Sequence, residues 1–368
     1  ETFEMISRGQ TSGVFQMEST GMTGVCVGLK PRSIEDITAI IALYRPGPMD
    51  SIPRFIACKQ NPKLIRYRHP SLEPILSVTY GCIVYQEQVI QIFQKLGGYS
   101  LGQADMVRRA ISKKKAAQIQ KEKDAFIHGD KERNITGCVA NGIPEETAEA
   151  IYQEIYDFAN YAFNKAHAVS YAVVAYQTAW FKCHYPREYM AALLTSVLDN
   201  TNKLARYIAE CVRLGIRVLP PHVNLSRNGF TVDGQDIRFG LLAIRNLGKG
   251  FISSLLQERD ENGSYTSFYN FCKRMYGKDL NRRALESLVK CGALDQLGYN
   301  RRQMLESVAS VLESLDADKR RNVEGQLGFF DSLTPKAAEE EFTVGPMQDL
   351  SIADKLAMEK EVTGMYLS

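Results

Sequence analysis

With 368 residues, 45% of them hydrophobic and 24% charged, the chain has the composition of an ordinary globular protein and the length for two or three domains. A formal net charge of +3 names no partner, and the longest apolar run, near residues 171–181, falls short of the roughly 20 residues that a membrane span needs. Eight dispersed cysteines without a CxxC pair exclude a disulfide framework or a cysteine zinc site, so they read as reduced, buried thiols of a cytoplasmic protein.

Residues 1–211 show dense helical periodicity, punctuated at RPGP (45–48), GG (97–98) and NGIP (141–144), and read as one helical domain. The clearest helix opens at Pro144, carries Glu145 and Glu146 at the positive end of its dipole, and has Ala148, Ile151, Ile155 and Phe158 as its buried stripe. Over 212–240 the pattern changes to paired prolines and two short extended runs around a DG turn, which predicts a small connecting β element. Helical periodicity resumes over 241–315 in two units, IRNLGKGFISSLL and LESLVKCGALDQLG, each with glycine near a helix end. From 316 to 349 the chain turns polar and reads as a flexible linker, and 350–368 reads as the start of a further domain. The fold class expected is thus mainly α. A chain beginning at glutamate also reads as an interior piece of something longer.

Four stretches carry chemistry. MVRRAISKKKAAQIQK (106–121) holds Arg108, Arg109, Lys113, Lys114, Lys115 and Lys121 with no acidic residue among them. On a helix, Arg109 and Lys113 repel one another unless an anion lies between them, although a solvated basic face is the plainer reading. In FNKAHAVSYAVVAYQTAWF (163–181), Asn164 is placed to cap an apolar helix, with Lys165 and His167 in the first turn. Cations are disfavoured at that end of a dipole while its free N–H groups favour phosphate, so a bound anion is expected. Tyr161, four residues earlier, offers a face on which a base could stack. LGKG (247–250) has the form of a helix-hairpin-helix turn, in which Gly248 and Gly250 bring backbone amides to a DNA phosphate beside Lys249. QLGFF (326–330) sets Leu327, Phe329 and Phe330 in a polar stretch that cannot bury them, which implies a pocket on a partner. Nucleotidyl transfer needs carboxylates holding two metal ions, and neither DGQD (233–236) nor DAD (316–318) is placed for that. No catalytic residue is expected within this chain.

Six ordered motifs, SGVFQMESTGM (12–22), ALYRPGPM (42–49), YGCIVYQEQVIQI (80–92), GQADMVRRAISKKK (102–115), YAFNKAHAVSYA (161–172) and LNRRALESLVKCGALD (280–295), resemble the alpha, or catalytic, subunits of bacterial DNA polymerase III, C-family replicative polymerases. The resemblance covers almost the whole chain and implies a fingers domain over 1–211, then tandem helix-hairpin-helix units leading toward the clamp-binding region. It implies that Arg108, Arg109, Lys113, Lys114, Lys165 and His167 face the triphosphate of an incoming nucleotide, that Tyr161 meets the nascent pair, and that Arg45 lies near the same cleft. Lys115, Gly248, Lys249 and Gly250 are then expected on DNA, and Gln326, Leu327, Phe329 and Phe330 on the sliding clamp. The partners implied are primer-template DNA, dNTP, the clamp and other holoenzyme subunits, with no membrane. Two Mg2+ ions are implied on palm aspartates that have no counterpart here, so the segment alone is expected to be inactive. Where the family has GYGFNKSH this chain has Asn160, Ala162 and Ala166 in place of two glycines and a serine. The alternative is a non-catalytic helix-hairpin-helix DNA-binding module, or a clamp-recruited scaffold.

Overall fold

The computed structural model describes residues 1–112, 116–159, 163–323 and 343–367. The chain divides into two compact units, 1–184 and 185–368. In the first, α1 (Thr2–Ser7), α2 (Thr20–Leu29), α3 (Ile34–Leu43) and α4 (Ile52–Gln60) lead through the single turn α5 (Glu73–Leu76) to α6 (Gln86–Gly97) and α7 (Leu101–Ser112). α8 (Ala116–His128), α9 (Glu145–Ala159) and α10 (Lys165–His184) complete it. Serine side chains fix two of the starts: Ser19 accepts the Met22 N–H at α2 and Ser33 the Asp36 N–H at α3.

Two cores form within this unit. One packs Phe93, Phe126 and Tyr152 of α6, α8 and α9 with ring centroids 5.0 to 6.2 Å apart. Ala148, Ile151 and Ile155 are buried in it as their spacing predicts, while Phe158 is only partly covered. The other core is organised by α10. Its residues Ala168, Ala172, Ala175 and Ala179 recur every three or four positions with 0% exposure, and small side chains at that spacing let a second backbone come close. α3 fills that place, buried without interruption from Asp36 to Leu43. The opposite face of α10 leaves Val173, Val174 and Phe181 exposed, so this helix is one-sided rather than apolar all round.

The second unit begins earlier than the expected line at residue 211, because α11 (Pro186–Ser196) and α12 (Thr201–Arg213) bury Met190, Leu194, Leu204 and Tyr207 in its core. The predicted β element is present as β1 (Val218–Leu219), β2 (Thr231–Asp233) and β3 (Asp236–Arg238), in the order β1-β3-β2. β2 and β3 pair antiparallel across the DG turn, where Gly234 has φ +64°, and β1 joins β3 in parallel. A short 3-10 turn, Leu241–Ala243, precedes α13 (Lys249–Asn262), α14 (Phe268–Met275), α15 (Arg282–Lys290), α16 (Arg301–Val323) and α17 (Ile352–Thr363).

Two boundaries move for physical reasons. The expected linker does not start at 316: α16 runs on to Val323, since Val311 and Leu315 anchor it and Ala317, Lys319, Arg320 and Arg321 are residue types that propagate a helix. The helix expected to open a further domain instead returns to this core. Val362 of α17 is 2% exposed, its carbonyl accepts the Arg245 N–H at 2.8 Å, and Glu359 pairs with the buried Arg301 at 2.9 Å. Periodicity alone does not tell these two cases apart. Among the described residues no helix is long and apolar enough to cross a membrane, and all eight cysteines are free, seven of them buried.

Candidate anion-binding site

The site is built where two helices start together. Tyr85 and Phe163 form an isolated parallel bridge, with the Gln86 N–H donating to the Phe163 carbonyl at 2.9 Å. The bridge sets the start of α6 beside the start of α10. Asn164 caps α10 as its sequence position predicts, its Oδ1 accepting the His167 N–H at 2.9 Å. Lys165 and His167 do occupy the first turn. The anion that offsets them comes from the chain itself: both carboxylate oxygens of Glu87 accept the Lys165 N–H, at 3.1 and 3.0 Å, and Asn164 Nδ2 donates to the same carboxylate at 3.2 Å. Lys165 Nζ lies 5.4 Å from the centre of the Tyr85 ring, a cation–π placement.

α7 brings in the basic run. Arg108 Nη1 donates to Gln86 Oε1 at 3.2 Å, which places this guanidinium at the same junction. Arg108 also reaches Asp105 at 2.8 Å, and Arg109 reaches the other Asp105 oxygen at 2.8 Å. Hydrogen bonding from Arg108, followed by the charges of both arginines, holds the Asp105 carboxyl below the usual aspartate range. The run is thus not free of acidic partners. One aspartate immediately upstream serves both arginines, at the (i, i+3) and (i, i+4) spacings that the sequence itself displays.

Behind the junction lies a cavity of about 550 Å³ lined by Gln16, Glu18, Ser19, Met22, Ile41, Tyr44, Arg45, Phe163, His167 and Tyr171. Arg45 stacks its guanidinium 4.2 Å from the centre of the Phe163 ring and donates from Nε to the Ala42 carbonyl at 3.3 Å. Burial lowers its pKa from the ordinary arginine value. His167 sits between two rings, 5.4 Å from Phe163 and 4.4 Å from Tyr171. The structure thus gathers Arg45, Arg108, Lys165 and His167 around one junction. Arg109, 66% exposed at its side chain, lies on the open face of α7. Lys113, Lys114, Lys115 and Tyr161 lie outside the described residues. Glu87 and Asp105 are the members that sequence reasoning missed.

In the second unit, Gly248 takes the N-cap position of α13, and Gly248, Lys249 and Gly250 are all exposed. Among the described residues a Cβ on Gly248 would meet nothing within 4 Å, and one on Gly250 only Asp279 Oδ2 at 3.6 Å, so none of them requires either glycine for space. Asn246, at φ +65°, turns the chain into this hairpin and donates from Nδ2 to Ser287 Oγ at 3.1 Å. The first arm of this hairpin is only the 3-10 turn, because β3 ends three residues before it. Gly292 in the second hairpin has a different function: its φ is +81°, and a Cβ there would lie 2.3 Å from Arg301 Nη2. Asp233 and Asp236 are held by Arg238 and Arg217 respectively. Gln326, Leu327, Phe329 and Phe330 lie outside the described residues.

The chain thus joins a helical unit with basic side chains at joined helix starts to a second unit with glycine hairpins, and comparison with known proteins gives this arrangement relatives. Residues 1–134 match the family described as bacterial DNA polymerase III alpha subunit finger domain, and residues 215–304 match the helix-hairpin-helix motif. The chain is 44% identical over 376 residues to the DNA polymerase III subunit alpha of Thermus aquaticus, covering all of this chain and 29% of that protein. It is 41% identical over 369 residues to that of Borreliella burgdorferi and 40% over 372 residues to that of Bacillus subtilis, covering all of this chain and 32% of each relative. The chain is similar over its whole length to bacterial DNA polymerase III alpha subunits, and it spans less than a third of the length of these relatives.

Proposed function

We propose that this chain is the fingers and duplex-binding part of a replicative DNA polymerase, holding the incoming dNTP while a primer is extended along a template. The observation that carries the reading is the convergence of Arg45, Arg108, Lys165 and His167 on the bridged starts of α6 and α10. Because Glu87 takes the first N–H of α10, the triphosphate is bound through these side chains rather than through that amide. Cations at that place position the triphosphate and offset charge on the leaving pyrophosphate. Arg109, Lys113, Lys114 and Tyr161 complete the proposed nucleotide set.

Lys115 and the Gly248, Lys249, Gly250 hairpin are the proposed DNA contacts, made to backbone phosphates and therefore independent of sequence. Gln326, Leu327, Phe329 and Phe330 are the proposed tether to a sliding clamp, which would keep the enzyme at high local concentration on its template. Two Mg2+ ions would supply charge stabilisation at the reacting phosphate in the whole enzyme. The donors gathered here do not fit them: the junction is cationic, Glu87 is taken by backbone and amide donors, and Asp105 is taken by two arginines. We place the metal-holding carboxylates elsewhere in the subunit.

The test is single-nucleotide incorporation by rapid quench in the full-length subunit, comparing Lys165→Ala and His167→Ala with the parent. Loss of a charged contact worth roughly 1.5–3 kcal/mol should lower incorporation by about tenfold or more with primer binding intact. Unchanged incorporation in both variants overturns the nucleotide site. If only Lys249→Ala has an effect, on salt-dependent DNA binding, the chain is a DNA-binding module without a nucleotide role.

A further inference from the structure

The SGVFQMESTGM stretch has no role in the reading above, yet it supplies Gln16, Glu18, Ser19 and Met22 to the cavity wall opposite Arg45, His167 and Tyr171. Two residues of α10 hold it there. Lys182 is 1% exposed, and its ammonium donates to the Gln10 and Ser12 carbonyls at 2.9 and 2.8 Å. An ammonium buried without partners is strongly disfavoured, so charge and carbonyls fix each other. Four residues earlier, Thr178 Oγ1 accepts the Phe15 N–H at 3.1 Å and donates to the Ala175 carbonyl of its own helix at 2.8 Å.

Between these ties the chain makes a tight turn. The Met17 N–H donates to the Val14 carbonyl at 3.1 Å, and Val14 and Met17 are both 0% exposed. Gln16, third in the turn, has φ +61°, where glycine or asparagine is the usual occupant. A glutamine persists there only because its surroundings over-determine the backbone, and its side chain lines the cavity. Phe15 packs on Tyr171 with ring centroids 5.4 Å apart, and Tyr171 packs on His167. His167, Tyr171, Thr178 and Lys182 follow one another at spacings of 4, 7 and 4, one stripe of α10.

We propose that α10 sets the Gln10–Ser19 loop as the base- and sugar-facing wall of the nucleotide cavity, with Thr178 and Lys182 as the positioning residues. The inference rests on the nucleotide reading of the start of the same helix. An amide and aromatic rings suit a base and sugar, while the cations of the helix start take the phosphates. Loosening the loop therefore weakens nucleotide capture and leaves primer binding alone.

The experiment uses the full-length subunit and compares Thr178→Val, which removes the acceptor at nearly equal volume, with Thr178→Ser, which keeps it. Thr178→Val should raise the nucleotide KM by about two- to tenfold, the range one hydrogen bond covers, with kcat and primer-template affinity near the parent values. Thr178→Ser should behave as the parent, and Lys182→Met should raise KM further. If Lys182→Met does not fold, the Thr178 pair decides alone. Lys165→Ala is measured alongside. If it impairs incorporation and Thr178→Val leaves KM unchanged, the positioning proposal falls and the nucleotide site stands. If Thr178→Val raises KM and Lys165→Ala changes nothing, the loop assignment stands and the helix-start assignment falls. A loss of kcat and primer affinity together in Thr178→Val marks a merely structural tie and also overturns the proposal.

Discussion

Glu87 presents both carboxylate oxygens to the backbone N–H of Lys165, so the start of α6 supplies the negative group that the start of α10 calls for. Two roles follow from one side chain. It caps a helix, and under the proposed function it stands where a triphosphate would otherwise find a free amide.

Glu87→Ala therefore has opposite effects on stability and on binding. Losing a cap of this kind costs about 0.5–2 kcal/mol, and in a unit of this size each kcal/mol lowers the unfolding midpoint by roughly 2–4 °C. Under the proposed function, nucleotide KM falls in the same variant, because a carboxylate no longer repels the triphosphate. Calorimetry and steady-state incorporation on the full subunit read the two effects. An unchanged midpoint would show that the contact contributes nothing in solution, and a raised KM would show that Glu87 supports nucleotide binding instead of competing with it.

Glycines at the two hairpins separate binding from folding. Gly250 sits in the first turn of α13, where among the described residues a Cβ meets only Asp279 Oδ2 at 3.6 Å. Alanine is the better helix former, so Gly250→Ala should stabilise the chain by up to about 1 kcal/mol. If a DNA phosphate approaches this backbone as proposed, the same variant loses duplex affinity in a salt-dependent assay. Gly292→Ala should do the reverse of the first effect and unfold readily, costing about 3 kcal/mol or more. It forces a side chain onto φ +81° and pushes Arg301 from its pairs with Asp295 and Glu359. Denaturant midpoints and DNA titrations on both variants check this. Gly250→Ala with full DNA affinity ends the close-approach explanation.

The helix starts were legible because their signals are local. Asn164, Lys165 and His167 fall where one cap and one turn place them, and the alanines of α10 declare their buried face by spacing alone. Asp105 was missed although its signal is just as local, at three and four residues from the arginines it binds. Glu87 was not legible, since it is 78 residues from Lys165 and only the Tyr85–Phe163 bridge joins them. The same holds for α17. Its Glu359 reaches Arg301 across 58 positions, and nothing in either neighbourhood announces a partner. Pairings over such separations depend on topology, which one sequence carries only through the fold as a whole.

Acid should expose a further tie in the second unit. Glu258 is 7% exposed and receives Lys278, Arg274 Nε at 3.1 Å and Asn262 Nδ2 at 2.9 Å. The hydrogen bond from Lys278, then those from Arg274 and Asn262, hold its carboxyl below the ordinary glutamate value. A group whose folded pKa is depressed stabilises the fold fully above its unfolded value, about 4.3 for glutamate, and loses that contribution as pH falls through the folded value. Glu258→Gln should therefore be less stable than the parent at neutral pH by about 1–3 kcal/mol, with α13 and the loop after α14 affected first. Below pH ~4.3 the parent loses its advantage and the two unfolding midpoints converge. Urea titrations of parent and variant, followed by far-ultraviolet circular dichroism from neutral pH down to strong acid, measure the gap directly. A gap that stays constant through that range would show that the Glu258 cluster stabilises by packing and neutral hydrogen bonds, with its charge contributing nothing.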